Sequence, residues 1–352
     1  MRSYPLISVV MSVYNSQAYL GQAIESILGQ SFSNFELIIV NDGSTDDSQK
    51  IIDYYRDKDQ RIIQIINIEN CGLTKSLNLG INIAQGTFIA RMDADDISLP
   101  TRFEKQIKFL ESYAGIGLLG TNGSYFDETG KVLGPFRHFE NDLEIRWGSL
   151  FNSQFIHSSI MFRLSLIQLA GMYREDHKYA QDYEFTSRLL QHTGGANLKE
   201  KLVLWRRTSG NISSQKKEEQ LKFGTQTAMD NINRLFEDEF VTDHDEMLIF
   251  RGLYRGAYKN AGEGQVIRFL RILEKFIEAQ NVRPAAERRL IEGVATRMFE
   301  SIYRKGFNKE NYRFLGKIIR MSPVAGLIGV KNLGWRAVNK GLNSINIDLE
   351  NK

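Results

Sequence analysis

The sequence predicts an α/β protein: a doubly wound sheet over the N-terminal half, followed by a region built of helices alone. Three observations carry this. Four β-branched apolar runs, at 6–13, 35–40, 62–68 and 87–92, are each followed by apolar residues at helical spacing. Polar and acidic residues gather where three of those runs stop, at Tyr14-Asn15, at Asp42 and at Asp93-Ala94-Asp95. Beyond residue 216 only the helical period persists.

Each element has its own cause. The first run is apolar at nearly every position, as a central parallel strand covered on both faces must be. Leu20, Ile24, Ile27 and Leu28 then mark a helix. The second run stops at Asn41-Asp42-Gly43-Ser44, a turn sequence, and Asp46 and Asp47 suit the positive start of a helix through Ile51, Ile52 and Tyr55. The third run turns at Asn70-Cys71-Gly72 into a helix bearing Leu73, Leu77 and Ile81. The fourth ends in the acids. Strands that alternate with helices in this way pair in parallel, with right-handed crossovers.

The stretch Arg91-Met92-Asp93-Ala94-Asp95-Asp96 sets three carboxylates in four positions. If the chain stays extended, Asp93 and Asp95 face one ligand, and the small Ala94 lets it approach the backbone. A divalent cation bound by hard oxygens compensates their mutual repulsion. Ser98 and Pro100 read as an N-cap and a first-turn proline for the helix of Phe103, Ile107 and Leu110. The acids thus fall in a strand-to-helix loop, where open α/β sheets bind ligands. Taken alone, the tripeptide reads as a solvated turn that caps a helix; the apolar run before it and the other acidic strand ends favour a site.

Composition sets bounds. A chain of 352 residues, 42% hydrophobic and 25% charged, can bury a core and divide in two. Its one cysteine, Cys71, excludes an intramolecular disulfide framework and fits a reducing compartment. The first run is too short for a signal peptide, and no uncharged stretch has the length to span a bilayer, so the expected location is the cytoplasm. Nine Lys/Arg against one acid make 304–340 about +8. Interleaved with aromatics, that segment suits either an anionic membrane surface, giving peripheral attachment, or the solvated face of a helical bundle. No nucleic-acid-binding module is recognisable.

Past Pro100 the pattern turns mixed, with short strands at 116–120 and 155–162 and a hairpin at 131–134. His157, a lone histidine beside apolar residues, reads as ordinary satisfied structure. Phe185, Leu189 and Leu190 share one face of a helix opening at Gln181, which puts Asp182 in its first turn, as a cap or as a reactive carboxylate. The first strand-to-helix turn, Val13-Tyr14-Asn15-Ser16-Gln17, lacks the glycines of a dinucleotide fold, and no Walker loop is present. Nucleotide binding through acids and metal fits better.

Val9-Val10-Met11-Ser12-Val13-Tyr14-Asn15, Val40-Asn41-Asp42-Gly43-Ser44-Thr45-Asp46, Asn70-Cys71-Gly72-Leu73, Arg91-Met92-Asp93-Ala94-Asp95-Asp96 and Gln181-Asp182-Tyr183-Glu184-Phe185 resemble, in order, the motifs of family 2 glycosyltransferases. The resemblance covers about the first 215 residues. It implies a GT-A fold with a mixed sheet, a nucleoside-diphosphate-sugar donor with UDP as the default, Mn²⁺ or Mg²⁺, and inversion at the anomeric carbon. It places Tyr14 and Asn15 near the base, which Asp42 hydrogen-bonds. Asp93 would face the ribose, Asp95 the metal and Arg206 the diphosphate, with Gly72, Lys75 and Arg91 also lining the donor site. Asp182 matches the general base. Gln181 stands where the family usually has an acid, and Thr208 where it often has histidine.

The expected activity is therefore metal-dependent, inverting glycosyl transfer to a glycan or lipid-linked glycan in bacterial surface polysaccharide synthesis. The expected domains are a catalytic one at 1–215, with its nucleotide half at 1–97 and acceptor half at 98–215, and a helical one at 216–352. Two rivals remain. A sugar nucleotidyltransferase shares the architecture but needs a glycine- and lysine-rich triphosphate loop, absent here. A nucleotide-sugar-binding module without turnover is the other.

Overall fold

The computed structural model describes residues 4–208, 215–237, 239–240, 242–255, 261–281, 283–286 and 289–294. The basic segment 304–340 lies outside the described residues. Among the described residues the chain divides into two compact units, one spanning 1–149 and 153–224, the other 150–152 and the chain from 225.

The first unit is built on a nine-stranded mixed sheet. Its parallel half comprises β1 (Ile7–Val13), β2 (Phe35–Asn41), β3 (Ile62–Ile66) and β4 (Phe88–Asp93), in the order β3-β2-β1-β4. Helices α1 (Leu20–Leu28), α2 (Ser48–Arg56) and α3 (Leu73–Ile83) connect them, as the alternating pattern predicts. Val9 and Met11 of β1 pack with Leu20, Ile24 and Ile27 on one face, while Val10 packs with Leu77 and Ile81 on the other. Both faces of β1 are therefore covered, which is why it reads as an apolar run interrupted only by Ser8 and Ser12.

Next come β5 (Ile97–Ser98), α4 (Arg102–Ser112), β6 (Ile116–Phe126), β7 (Val132–Phe136) and α5 (Asp142–Ser149). After them follow β8 (Met161–Arg163), α6 (Ile167–Ala170), α7 (Gln181–Leu189) and β9 (Gly194–Arg206). The sheet continues from β4 through β8, β6 and β9 to β5, with β7 paired to β6. The expected mixed sheet is present, its antiparallel pairs arising where β8 meets β4 and β6, β9 meets β5, and β7 meets β6.

Two local expectations change. Residues 155–162 do not form one strand: His157–Ser159 is a 3₁₀ turn and only Met161–Arg163 pairs in the sheet. Ser98 does not cap the next helix, because Ile97 and Ser98 pair with Leu204 and Val203 of β9, and α4 begins three residues further on, after Thr101. Long-range pairing overrides a local capping signal here.

The loops after β1, β2 and β3 interlock. Asn15, itself at φ 47°, accepts at Oδ1 from Thr45 N–H (2.8 Å), and its own N–H donates to Ser44 Oγ (3.0 Å). Gly43 holds φ +69°, and a Cβ on it would lie 2.6 Å from the Glu69 carbonyl carbon. Gly43→Ala is expected to cost about 1–2 kcal/mol for the left-handed conformation and about 1–3 more for the backbone clash, read as a lower urea midpoint.

Helix α8 (Lys217–Leu235) begins in the first unit and ends in the second, where α9 (His244–Tyr254) and α10 (Glu263–Ala279) follow. Phe151 stacks on Tyr254 (5.1 Å, 18°) and packs against Phe269, and Arg251 donates to the Phe151 carbonyl at 2.9 Å. Asp243 caps α9 by accepting from Glu246 N–H.

Candidate active site

β4 carries the site. It brings Arg91 and Asp93 to the end of the sheet, where the chain turns through Ala94 and Asp95. The strand stops at Asp93, so extended alternation does not bring Asp93 and Asp95 together; the turn does. Carboxylate oxygens of Asp93, Asp95 and Asp96 lie within 4.8 Å of one another.

The three acids have different surroundings. The Asp93 carboxylate pairs with the Arg91 guanidinium and accepts from Ser158 Oγ at 2.7 Å. Burial works against its charge, yet Arg91 beside it holds its pKa below the ordinary value. Asp96 is fully buried, bonded to Ser158 Oγ and accepting the Arg206 N–H at 2.8 Å. Burial, then the charges of Asp93 and Asp95, push it well upward. No hydrogen-bond donor from another described residue reaches the Asp95 carboxylate, and burial together with Asp93 raises its pKa to about 6. A cluster of hard oxygens whose charges oppose one another, with Asp95 unclaimed by donors of the other described residues, fits a divalent cation.

Two buried arginines hold this loop from behind. Arg206 donates from Nε to the Asp95 carbonyl (2.8 Å) and from an Nη to Gln22 Oε1 (2.7 Å), and its guanidinium lies over the rings of Tyr19 (4.1 Å) and Phe126 (4.3 Å). Arg102 of α4 donates to the Arg91 carbonyl at 3.0 Å and the Ile160 carbonyl at 3.3 Å. Burial, then the charge of Arg91, lowers its pKa to about 9.

The nucleotide-side residues lie on the neighbouring loops. Tyr14 is 47% exposed at the end of β1, its ring available to stack. Asp42 is buried and accepts from Asn67 Nδ2 (2.8 Å), Cys71 N–H (2.9 Å) and Gly72 N–H (2.8 Å). It shapes the start of α3, where Gly72 sits at φ +94°. Lys75, one turn further, is exposed 4.0 Å from Glu175.

Asp182 stands in the first turn of α7, preceded by Ala180 at φ 52°. Its partial burial raises its pKa, with Asp93 adding to the rise while the Tyr183 N–H and Arg91 oppose it. Arg91 and Asp93 thus act electrostatically on both ends of the site. Gln181 is half-buried beside it. Thr208 follows the end of β9 by two residues and is half-buried.

Sequence reasoning counted Asp96 among the acids without giving it a role of its own, and missed Ser158, Arg102, Asn78 and Tyr173. Ser158 and Asp96 sit inside motifs that were visible, but their roles come from contacts across 62 to 67 residues. Arg102, on the buried side of α4 beside Phe103, carries no local signal.

A sheet of this order with an acid cluster at the end of its fourth strand defines a GT-A type α/β domain. A model of the family "Glycosyl transferase family 2" matches residues 8–168. An uncharacterised glycosyltransferase of Haemophilus influenzae is 32% identical over 253 residues, covering 66% of this chain and 75% of that one. The amylovoran biosynthesis glycosyltransferase AmsE of Erwinia amylovora is 34% identical over 188 residues, 53% of this chain and 70% of its own. The crystal structure of S. aureus TarS 1-349 in complex with UDP-GlcNAc shares the fold, with TM-score 0.57 at 18% identity, over 96% of this chain and 91% of that one. The chain belongs to glycosyltransferase family 2, and its activity is glycosyl transfer. No helix among the described residues is long and apolar enough to cross a membrane.

Proposed function

We propose that this glycosyltransferase moves a sugar from a nucleoside diphosphate, UDP being the first to test, to a hydroxyl of a glycan or lipid-linked glycan in surface polysaccharide synthesis, with inversion. The observation that carries it is the half-buried Asp182 carboxylate, within electrostatic reach of Asp93 and Arg91 at the acid loop. In this reading Tyr14 stacks on the base, the Asn15 and Asp42 loops with Gly72 and Lys75 frame the nucleotide, and Asp93 with Arg91 meets the ribose side. Asp95 holds Mn²⁺ or Mg²⁺, with Asp93 beside it. Such an ion supplies positive charge against the departing diphosphate.

Asp182 accepts the proton of the acceptor hydroxyl as its oxygen forms a bond to the sugar C1 on the face opposite the breaking C1–O bond. One base and one displacement give inversion. Arg206, spent on Asp95 and Gln22, is assigned to fixing the acid loop and not to the diphosphate. The part played by AmsE in amylovoran biosynthesis supports a surface-glycan acceptor. The domains proposed are 1–215 for catalysis and 216–352 for a helical region.

The test is a panel of UDP-, GDP- and dTDP-sugars with Mn²⁺, Mg²⁺ or chelator, scored by nucleoside diphosphate release and product anomer. Metal-dependent release with an inverted product is expected, lost in Asp95→Asn; release indifferent to chelator removes the metal assignment. A pH profile adds a second measure. Asp182 must be ionised to act, and its pKa is raised. Activity therefore falls as pH drops through a value above the ordinary aspartate pKa of about 3.9. An acid limb of kcat/KM at or below that value removes Asp182 as the base.

A further inference from the structure

His157 and Tyr173 meet beside the acids and have no part in the chemistry above. Tyr173 is fixed from two sides. Its backbone exchanges hydrogen bonds with Asn78 of α3, its N–H donating to Oδ1 at 3.0 Å and its carbonyl accepting from Nδ2 at 2.9 Å. Its ring stacks on Phe185 of α7, with centroids 3.9 Å apart and planes 20° apart. His157 opens the 3₁₀ turn whose next residue, Ser158, bridges Asp93 and Asp96.

The Tyr173 hydroxyl lies 2.8 Å from His157 Nε2. Burial, then Arg91, holds the imidazole pKa well below its ordinary value, and burial raises that of the phenol, so both groups are neutral. A neutral imidazole carries one proton, which leaves two arrangements. If Nε2–H donated to the phenol oxygen, the hydroxyl proton of Tyr173, 3% exposed, would have no acceptor among the described residues. A buried donor without a partner is costly. If the hydroxyl donates to Nε2, the proton sits on Nδ1, which has no partner among the described residues and is not sealed from solvent. The second arrangement leaves nothing buried unsatisfied.

We propose that Tyr173 locks His157 in its Nδ1–H tautomer, and that this N–H donates a hydrogen bond to an anionic oxygen of the bound nucleotide-sugar donor. Tyr173 is then a positioning residue and His157 a binding one. With Nε2 accepting from Tyr173 and Nδ1 protonated, the ring has no lone pair left for a metal, so His157 is not a metal ligand. A neutral donor beside Arg91 adds directional hydrogen bonding to the diphosphate without a second buried cation. The ligand half of the proposal rests on the donor assignment above; the tautomer half does not.

Two measurements separate them. In the ligand-free protein, ¹⁵N spectra of the histidine rings should show His157 as the Nδ1–H tautomer, lost in Tyr173→Phe; an Nε2–H ring in the wild type overturns the lock. For the contact, manganese-loaded protein is titrated with UDP, GDP and dTDP. His157→Asn puts an amide nitrogen where Nδ1 was, and His157→Gln where Nε2 was. The Asn variant should hold the best nucleotide within about threefold of wild type, while the Gln and Ala variants lose about tenfold. Binding by the Gln variant equal to that of the Asn variant, or no loss in Ala, overturns the contact. A wild type that binds none of the three nucleotides, with the tautomer as stated, overturns the donor assignment and the contact with it, and leaves the lock standing.

Discussion

Asp182→Asn should lower glycosyl transfer by about 10²–10⁴-fold while donor affinity stays within about threefold of wild type. The amide has the shape of the carboxylate but cannot take a proton from the acceptor hydroxyl. Lost charge in the first turn of α7 costs at most about 1 kcal/mol through the helix dipole, so the variant stays folded. Turnover by product release and donor affinity by calorimetry, on the same preparation, check this. Equal falls in turnover and donor affinity would mean that Asp182 serves the donor and not the acceptor. A wild type that binds donor yet turns none over, with any acceptor, would return the binding-module alternative.

The second large effect is expected at Arg206. Arg206→Met removes the donors to the Asp95 carbonyl and Gln22, with the guanidinium that lies over Tyr19 and Phe126, while keeping an unbranched apolar side chain there. Loss of hydrogen bonds to a buried guanidinium, with the carbonyl left unpaired, should lower the unfolding free energy by about 2–4 kcal/mol. Because that carbonyl belongs to Asp95, the Mn²⁺ concentration needed for half-maximal thermal stabilisation should also rise, by about tenfold or more. Arg206→Lys should fall between the two, since an ammonium keeps the charge without the flat stacking surface or the paired donors. Unchanged urea and manganese midpoints in the Met variant would return Arg206 to the diphosphate as a direct contact.

The parallel half of the sheet was legible because its cause is local. A strand covered on both faces is apolar at nearly every position: Ile7–Val13 departs from this only at Ser8 and Ser12, and Phe35–Asn41 only at Glu36 and Asn41. The strand at 155–162 was misjudged for the same reason: Phe155, Ile156 and Ile160 are buried by packing, and burial alone does not separate a strand from a 3₁₀ turn. Ser98 had the chemistry of a cap, but pairing with Val203 drew it into the sheet.

The site divides along the same line. From sequence alone came the position of the acids at the end of β4, the Asn15 and Asp42 loops, Asp182 at a helix start, and membership of the glycosyltransferase family. Those features lie within single motifs, where spacing and residue type are enough. Only the tertiary structure decided that Asp96 is buried under the backbone of Arg206, 110 residues away, and that Tyr173 is clamped by Asn78 across 95 residues. It also decided that Arg206 holds the acid loop from behind. Such contacts form only when the sheet closes, because the free energy of burying a charge or a phenol depends on what the rest of the chain places around it.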